Sequence, residues 1–149
     1  GPEPQRSSLD SLLTAQFKKS KLQTILVCGK PEILSKYYKK DQRFTIANSL
    51  TTDDLNETIE QSEIIISRSG YSSVMDLAKL GKKAVFIPTP GQTEQIHLAD
   101  ELMKRGIAFS MKQEEFDLEI ALKEAEKFSG FANFGFDDTL LKNAIDSIL

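Results

Sequence analysis

The chain has 149 residues, 40% of them hydrophobic and 28% charged, which suits one ordinary globular domain and excludes disorder, collagen-like repeats and coiled coil. A net charge of -3 offers no basic excess to nucleic acid or an anionic membrane, and one cysteine excludes an internal disulfide framework. One histidine argues against a multi-histidine metal site, and the apolar runs fall far short of the roughly 20 residues a bilayer needs. No stretch reads as a signal peptide, so the expectation is a reduced, cytoplasmic domain.

The first predicted element is a helix over residues 8–20, with Leu9, Leu12, Leu13 and Phe17 on one face. Residues 24–29 read as an apolar strand ending at Gly29. Pro31 opens a predicted helix running to about Lys40. Residues 44–47 form a second strand candidate. The segment 53–61 is helical, with Leu55 and Ile59 at i, i+4. Ile64-Ile65-Ile66-Ser67 is the clearest strand, and the helix over 72–80 stops at Gly81. A strand over 84–87 closes on Pro88-Thr89-Pro90-Gly91. A helix over 94–105 is capped by Gly106, and residues 107–110 are the last strand. Helices at about 118–128 and 137–148 complete the chain.

Strands and helices alternate, and several strands are apolar throughout, as expected when both faces are buried. The fold class is therefore α/β: a doubly wound parallel sheet flanked by helices, in a single domain over residues 1–149. Such a domain normally opens on a strand, whereas this chain opens on Gly1-Pro2-Glu3-Pro4-Gln5-Arg6 and a helix. Either Gly1-Pro2 is a cloning remnant, or the loop is native and the strand before it lies outside this sequence.

Ligands of open parallel sheets bind beyond the carboxyl ends of the strands. Two loops there carry chemistry. Ser67-Arg68-Ser69-Gly70-Tyr71-Ser72-Ser73 joins a strand to a helix. Gly70 permits close backbone approach, and the unpaired first N–H groups of the helix favour an anion. Hydroxyls of Ser69, Ser72 and Ser73 and the charge of Arg68 suit a phosphate or diphosphate. Val74, Leu77 and Ala78 form the buried stripe, so Asp76 points away and can take two ribose hydroxyls. The same serines also fit plain helix capping with a solvated Asp76. After the next strand, Thr93, Glu94 and Gln95 begin a helix and could read sugar hydroxyls, or simply cap it.

Other residues fit structural roles. His97 has no carboxylate or serine partner in sequence, and Cys28 reads as a buried small hydrophobe. Lys18-Lys19 and Lys39-Lys40 read as solvated helix ends. Phe128, Phe131, Phe134 and Phe136 read as packing, or as a face toward another domain.

Arg68-Ser69-Gly70 through Asp76, followed by Gly81, Pro88 and Glu94-Gln95, resembles the Rossmann-like C-terminal half of the two-domain GT-B glycosyltransferases, in particular the MurG-like family 28 enzymes. The resemblance covers essentially the whole chain. It implies that Arg68, Ser69, Gly70, Tyr71, Ser72 and Ser73 border the diphosphate of a UDP-sugar and that Asp76 takes the ribose. It further implies that Thr93, Glu94 and Gln95 meet the donor sugar, and that Leu50, Thr51 and Thr52 hold the uracil, by position only. Asp stands at 76 where the family more commonly has Glu, so the shorter arm demands a closer approach. The implied activity is inverting transfer of a hexose or hexosamine from a UDP-sugar to an acceptor hydroxyl, without cofactor or metal. The catalytic base and the acceptor site would come from an N-terminal domain, as would any association with the inner membrane face.

Two other readings share the fold. A UDP-sugar 2-epimerase resembles it in a Ser-Gly loop, although Tyr71 stands where those enzymes look to have a second glycine. A non-catalytic nucleotide-binding subunit that pairs with a separate acceptor subunit is the other. A doubly wound domain for some other phosphorylated ligand is the plainest alternative.

Overall fold

The computed structural model describes residues 3–28, 37–40, 43–132, 142–143 and 145–148. They fall into two compact units, Gly1–Thr58 and Ile59–Leu149.

The first unit begins with helix α1, Gln5–Lys19. Glu3 organises its start: Arg6 Nε donates to Oε1 at 2.9 Å and Ser7 Oγ to Oε2 at 2.8 Å. Lys18 and Lys19 close the last turn, where the helix dipole favours cations. Leu13 is buried and Leu9, Leu12 and Phe17 are half-buried, so the predicted stripe is the covered face. Three strands follow: β1, Thr24–Val27; β2, Tyr37–Lys40; and β3, Phe44–Ala47. Their order is β1-β3-β2, with β1 parallel and β2 antiparallel to β3.

The antiparallel β2 corrects the helix expected to run to Lys40; the first part of that segment, residues 29–36, lies outside the described residues. Lys39 and Lys40 are thus strand residues rather than a helix end. A lysine-bearing strand at a sheet edge is a familiar way to discourage further pairing. The central strand β3 is well covered, with Phe44, Ile46 and Ala47 buried. On β1, Ile25 remains 49% exposed. Cys28 lies just past β1 and is half-buried, which corrects its placement inside a buried strand.

Helix α2, Thr52–Gln61, carries the chain across the boundary. The second unit contains β4, Ile64–Ser67; α3, Tyr71–Lys79; β5, Lys83–Phe86; α4, Thr93–Lys104; β6, Phe109–Ser110; and α5, Leu118–Ala125. A short 3-10 turn, Gln113–Glu115, precedes α5. The strands are parallel in the order β4-β5-β6. Burial follows this order: Ala84, Val85 and Phe86 of the central β5 are buried, whereas the Ile-rich β4, on the edge, is half-buried throughout. The parallel strands and flanking helices give the expected α/β class, with hydrogen bonding dividing the strands among the described residues into two sets of three.

Helices α3 and α4 end in the same way. Gly81 (φ +66°) and Gly106 (φ +72°) adopt the left-handed conformation. Lys82 N donates to Leu77 O and Gly81 N to Ala78 O, both at 3.1 Å; Ile107 N and Gly106 N repeat the pattern on Leu102 O and Met103 O at 3.0 Å. The core between them is Val74, Leu77, Phe86, Leu98, Leu102 and their neighbours. Phe131 enters it from the far end of the chain, edge-on to Phe86 with ring centroids 6.4 Å apart. A strap holds Phe131 there: Ser129 N, Gly130 N and Phe131 N donate to Gly106 O, Ile107 O and Lys82 O. Phe128 packs on Phe109, while Phe134 and Phe136 lie outside the described residues.

Candidate functional site

The parallel register sets Ser67 beside Phe86, so the β4–α3 and β5–α4 loops leave the sheet at the same edge. Ile87 N donates to Ser67 O at 2.8 Å and continues that pairing into the second loop.

The chain turns into α3 at Gly70, whose φ of -68° and ψ of 151° place it just before the helix. No side chain caps this start. Val74 N already pairs with Gly70 O, which leaves the first-turn N–H groups of Tyr71, Ser72 and Ser73 without partners in the helix ladder. A Cβ built on Gly70 would meet nothing within 4 Å. The protein's own packing and dihedrals therefore do not require glycine here, and the space in front of the helix start is open. Such a start carries a partial positive charge and aligned donors.

Asp76 is exposed on the outer face of α3, opposite the buried Val74, Leu77 and Ala78. Ser72 and Ser73 precede it by four and three residues, the spacing that puts them on its side of the helix. Five residues of helix carry the chain about 7.5 Å from Tyr71 to Asp76. Anion donors and a carboxylate thus lie one ribose-phosphate length apart along one surface.

The second loop is shaped by Pro90 and Gly91, where Gln92 N donates to Thr89 O at 3.0 Å and Gly91 has φ +83°. That is the type II turn in which glycine is favoured at the third position. Helix α4 then starts at Thr93, again with no side-chain cap. Thr93 and Glu94 are exposed, while Gln95 is half-buried.

Three predicted site residues prove to be engaged by backbone. Arg68 Nη1 donates to Ile87 O at 3.1 Å and Pro88 O at 3.3 Å. Ser69 is wholly buried, and its hydroxyl donates to Gln95 O at 2.7 Å. Gln95 Oε1 accepts from Thr89 N at 2.8 Å. The structure therefore brings together Arg68, Ser69, Gly70, Tyr71, Ser72, Ser73, Thr93, Glu94 and Gln95 at one sheet edge, with Asp76 farther along α3. Leu50, Thr51 and Thr52 belong to the other unit, where Thr51 Oγ1 accepts from Asp54 N at 3.2 Å and starts α2.

Several contacts had no sequence signal. Tyr71, the first residue of α3, donates its hydroxyl to Asp146 Oδ1 at 2.7 Å. That bond to a carboxylate raises the Tyr71 pKa above its ordinary value. His97 Nε2 lies 2.6 Å from Ile148 O, a backbone contact in keeping with a structural histidine. Thr89 Oγ1 is buried with no hydrogen-bond partner.

Comparison with known proteins adds to this geometry. The family model for the glycosyltransferase family 28 C-terminal domain matches residues 7–132. The UDP-N-acetylglucosamine--N-acetylmuramyl-(pentapeptide) pyrophosphoryl-undecaprenol N-acetylglucosamine transferase of Buchnera aphidicola is 35% identical over 89 residues, 59% of this chain and 25% of that protein. Among solved structures, MurG of Acinetobacter baumannii superposes with a TM-score of 0.63 at 20% identity, over 95% of this chain and 46% of that one. Spinosyn forosaminyltransferase SpnP gives a TM-score of 0.61 at 14% identity, over 97% of this chain and 36% of that one. At such identities the two structures speak to the fold alone. The chain spans a quarter or less of the length of the first curated relatives it matches. Among the described residues, no helix is long and apolar enough to cross a membrane.

Proposed function

The chain belongs to the glycosyltransferase family 28 C-terminal domains, and on that premise we propose that it is the donor-binding half of a glycosyltransferase that takes a UDP-sugar. The observation that carries this reading is the uncapped start of α3 behind an open Gly70. The diphosphate sits against the N–H groups of residues 71–73, with the hydroxyls of Ser72 and Ser73 beside it. Asp76 receives the ribose hydroxyls. Thr93, Glu94 and Gln95, at the uncapped start of α4, face the sugar.

In this reading the domain stabilises the leaving group. Negative charge grows on the diphosphate as the bond to the sugar breaks. Aligned helix donors and the nearby Arg68 guanidinium are in place before that charge develops, so little reorganisation is needed. The transfer proceeds without a cofactor. The acceptor hydroxyl attacks the anomeric carbon from the opposite side, with inversion, and the base that takes its proton belongs to an acceptor-binding domain outside these residues. The Buchnera relative is named for a lipid-linked acceptor. A comparable acceptor for this chain would be met through that other domain, at the cytoplasmic membrane surface.

Calorimetric titration with UDP, ADP and GDP tests the proposal. UDP is expected to bind most tightly. Asp76→Ala should weaken UDP by about tenfold or more, since hydrogen bonds to a charged group contribute about 1.5–3 kcal/mol. Equal affinity for the three nucleotides, or an Asp76→Ala variant with unchanged affinity, would refute it.

A further inference from the structure

Three hydrogen bonds run between the two loops of the site and a fourth braces the second loop, and each joins a side chain to main chain. Arg68 Nη1 reaches the carbonyls of Ile87 and Pro88. Ser69 Oγ reaches the carbonyl of Gln95, and Gln95 Oε1 holds the N–H of Thr89. Followed in order, they close a ring from residues 68–69 through 95 and 89 to 87–88 and back. A contact that grips backbone fixes the position of a segment, not merely of one side chain.

We propose that Arg68 and Ser69 are positioning residues, which clamp the β5–α4 loop to the β4–α3 loop so that the phosphate end and the Gln95 end engage a donor as one unit. The inference rests on the donor-site reading above and deepens it. It gives Arg68 a second task besides its charge, and it takes the Ser69 hydroxyl out of ligand contact altogether.

Two observations support the clamp. First, the Ser69 hydroxyl is wholly buried and donates to Gln95 O at 2.7 Å, so it faces α4 rather than the open space before Gly70. Second, Thr89 Oγ1 is buried with no partner. A loop that holds an unpaired hydroxyl in its interior is not at its own local optimum. The contacts from Arg68 and from Gln95 keep it there. Releasing them lets the Pro88–Thr89 backbone shift, and Gln95 loses its bearing on the ligand. Arginine suits the task because its rigid planar head presents donors in a fixed geometry, which the flexible lysine ammonium does not reproduce.

The test compares wild type with Arg68→Lys and Ser69→Ala, using UDP and UDP-N-acetylglucosamine as calorimetric probes and a thermal melt to check folding. The expected result is divergence: in both variants UDP-N-acetylglucosamine weakens about five- to tenfold more than UDP. Arg68→Lys retains the charge, so a loss confined to the sugar-bearing probe reports loop position. Weakening of both probes by the same factor, or of neither, overturns the clamp. Amide hydrogen exchange at Thr89, measured without ligand, gives a second readout. It should quicken in Arg68→Lys, and an unchanged rate also overturns the clamp. Should Ser69→Ala fail to fold, Arg68→Lys carries both measurements. A wild-type chain that binds neither probe overturns the donor-site reading instead, and the Thr89 exchange rate still decides the clamp.

Discussion

Replacing Gly70 by alanine should weaken nucleotide binding by roughly 10- to 100-fold while leaving the fold intact. The backbone at Gly70 (φ -68°, ψ 151°) is one that alanine adopts readily, and its Cβ would meet nothing within 4 Å. Two small terms then set the stability change. Alanine is a poorer residue than glycine just before a helix, by about 0.5–1 kcal/mol. It also removes freedom from the unfolded chain, which returns about 0.4–1 kcal/mol. The net change should lie within about 0.5 kcal/mol. For the ligand, the added methyl stands in front of the first-turn N–H groups and holds a phosphate away from them. Losing one charge-assisted hydrogen bond costs about 1.5–3 kcal/mol, or roughly 10- to 100-fold in affinity. Urea denaturation and UDP calorimetry on the same preparation measure both quantities. A folded Gly70→Ala chain that binds UDP within about threefold of wild type would show that the phosphate does not sit against α3.

Gly130 should behave in the opposite way. It has φ +73°, and a Cβ there would lie 3.1 Å from Lys83 Cα, so Gly130→Ala should destabilise by about 2–3 kcal/mol in urea; a loss below about 1 kcal/mol would mean that the strap yields. Thr89→Val removes the unpaired buried hydroxyl at nearly constant volume and should stabilise by about 1 kcal/mol, whereas a clear loss would reveal a hydrogen-bond partner for Oγ1. The Tyr71 phenol, held neutral by its bond to Asp146, should ionise above its ordinary value of 10.0. Because the folded pKa is raised, the contact contributes at pH values below the unfolded-chain value and is lost as pH climbs through the folded one. Ultraviolet titration should show that tyrosine ionising at lower pH in Asp146→Ala, and identical curves would sink the assignment.

Local signals were the legible ones. Gly81 and Gly106 mark helix ends because the left-handed turn is settled within a few residues. Alternating apolar runs disclosed strands and helices, but not the order of strands, which depends on partners far along the chain. Hence Ile64–Ile66, the most apolar stretch, read as doubly buried, yet β4 lies at an edge and the less uniform β5 takes the centre. β2 was missed because Pro31 suggests a helix start and only pairing with β3 makes its last residues extended. At the site, the outward Asp76 follows from helix geometry. The partners of Arg68 and Ser69 lie 19 to 26 residues away, and that of Tyr71 lies 75 away, so no local pattern encodes them.

The strap that seats Phe131 has a consequence for biosynthesis. Val74 and Leu98 leave the ribosome long before Phe131, Ile145 and Ile148, yet all five share one interior. The second unit therefore stays unfinished for most of its translation, with its helices awaiting the aromatic ring that closes them. A chain that ends before residue 131 would keep that apolar surface open to chaperones, and only a chain that includes Phe131, Ile145 and Ile148 would gain the protease resistance of the finished unit.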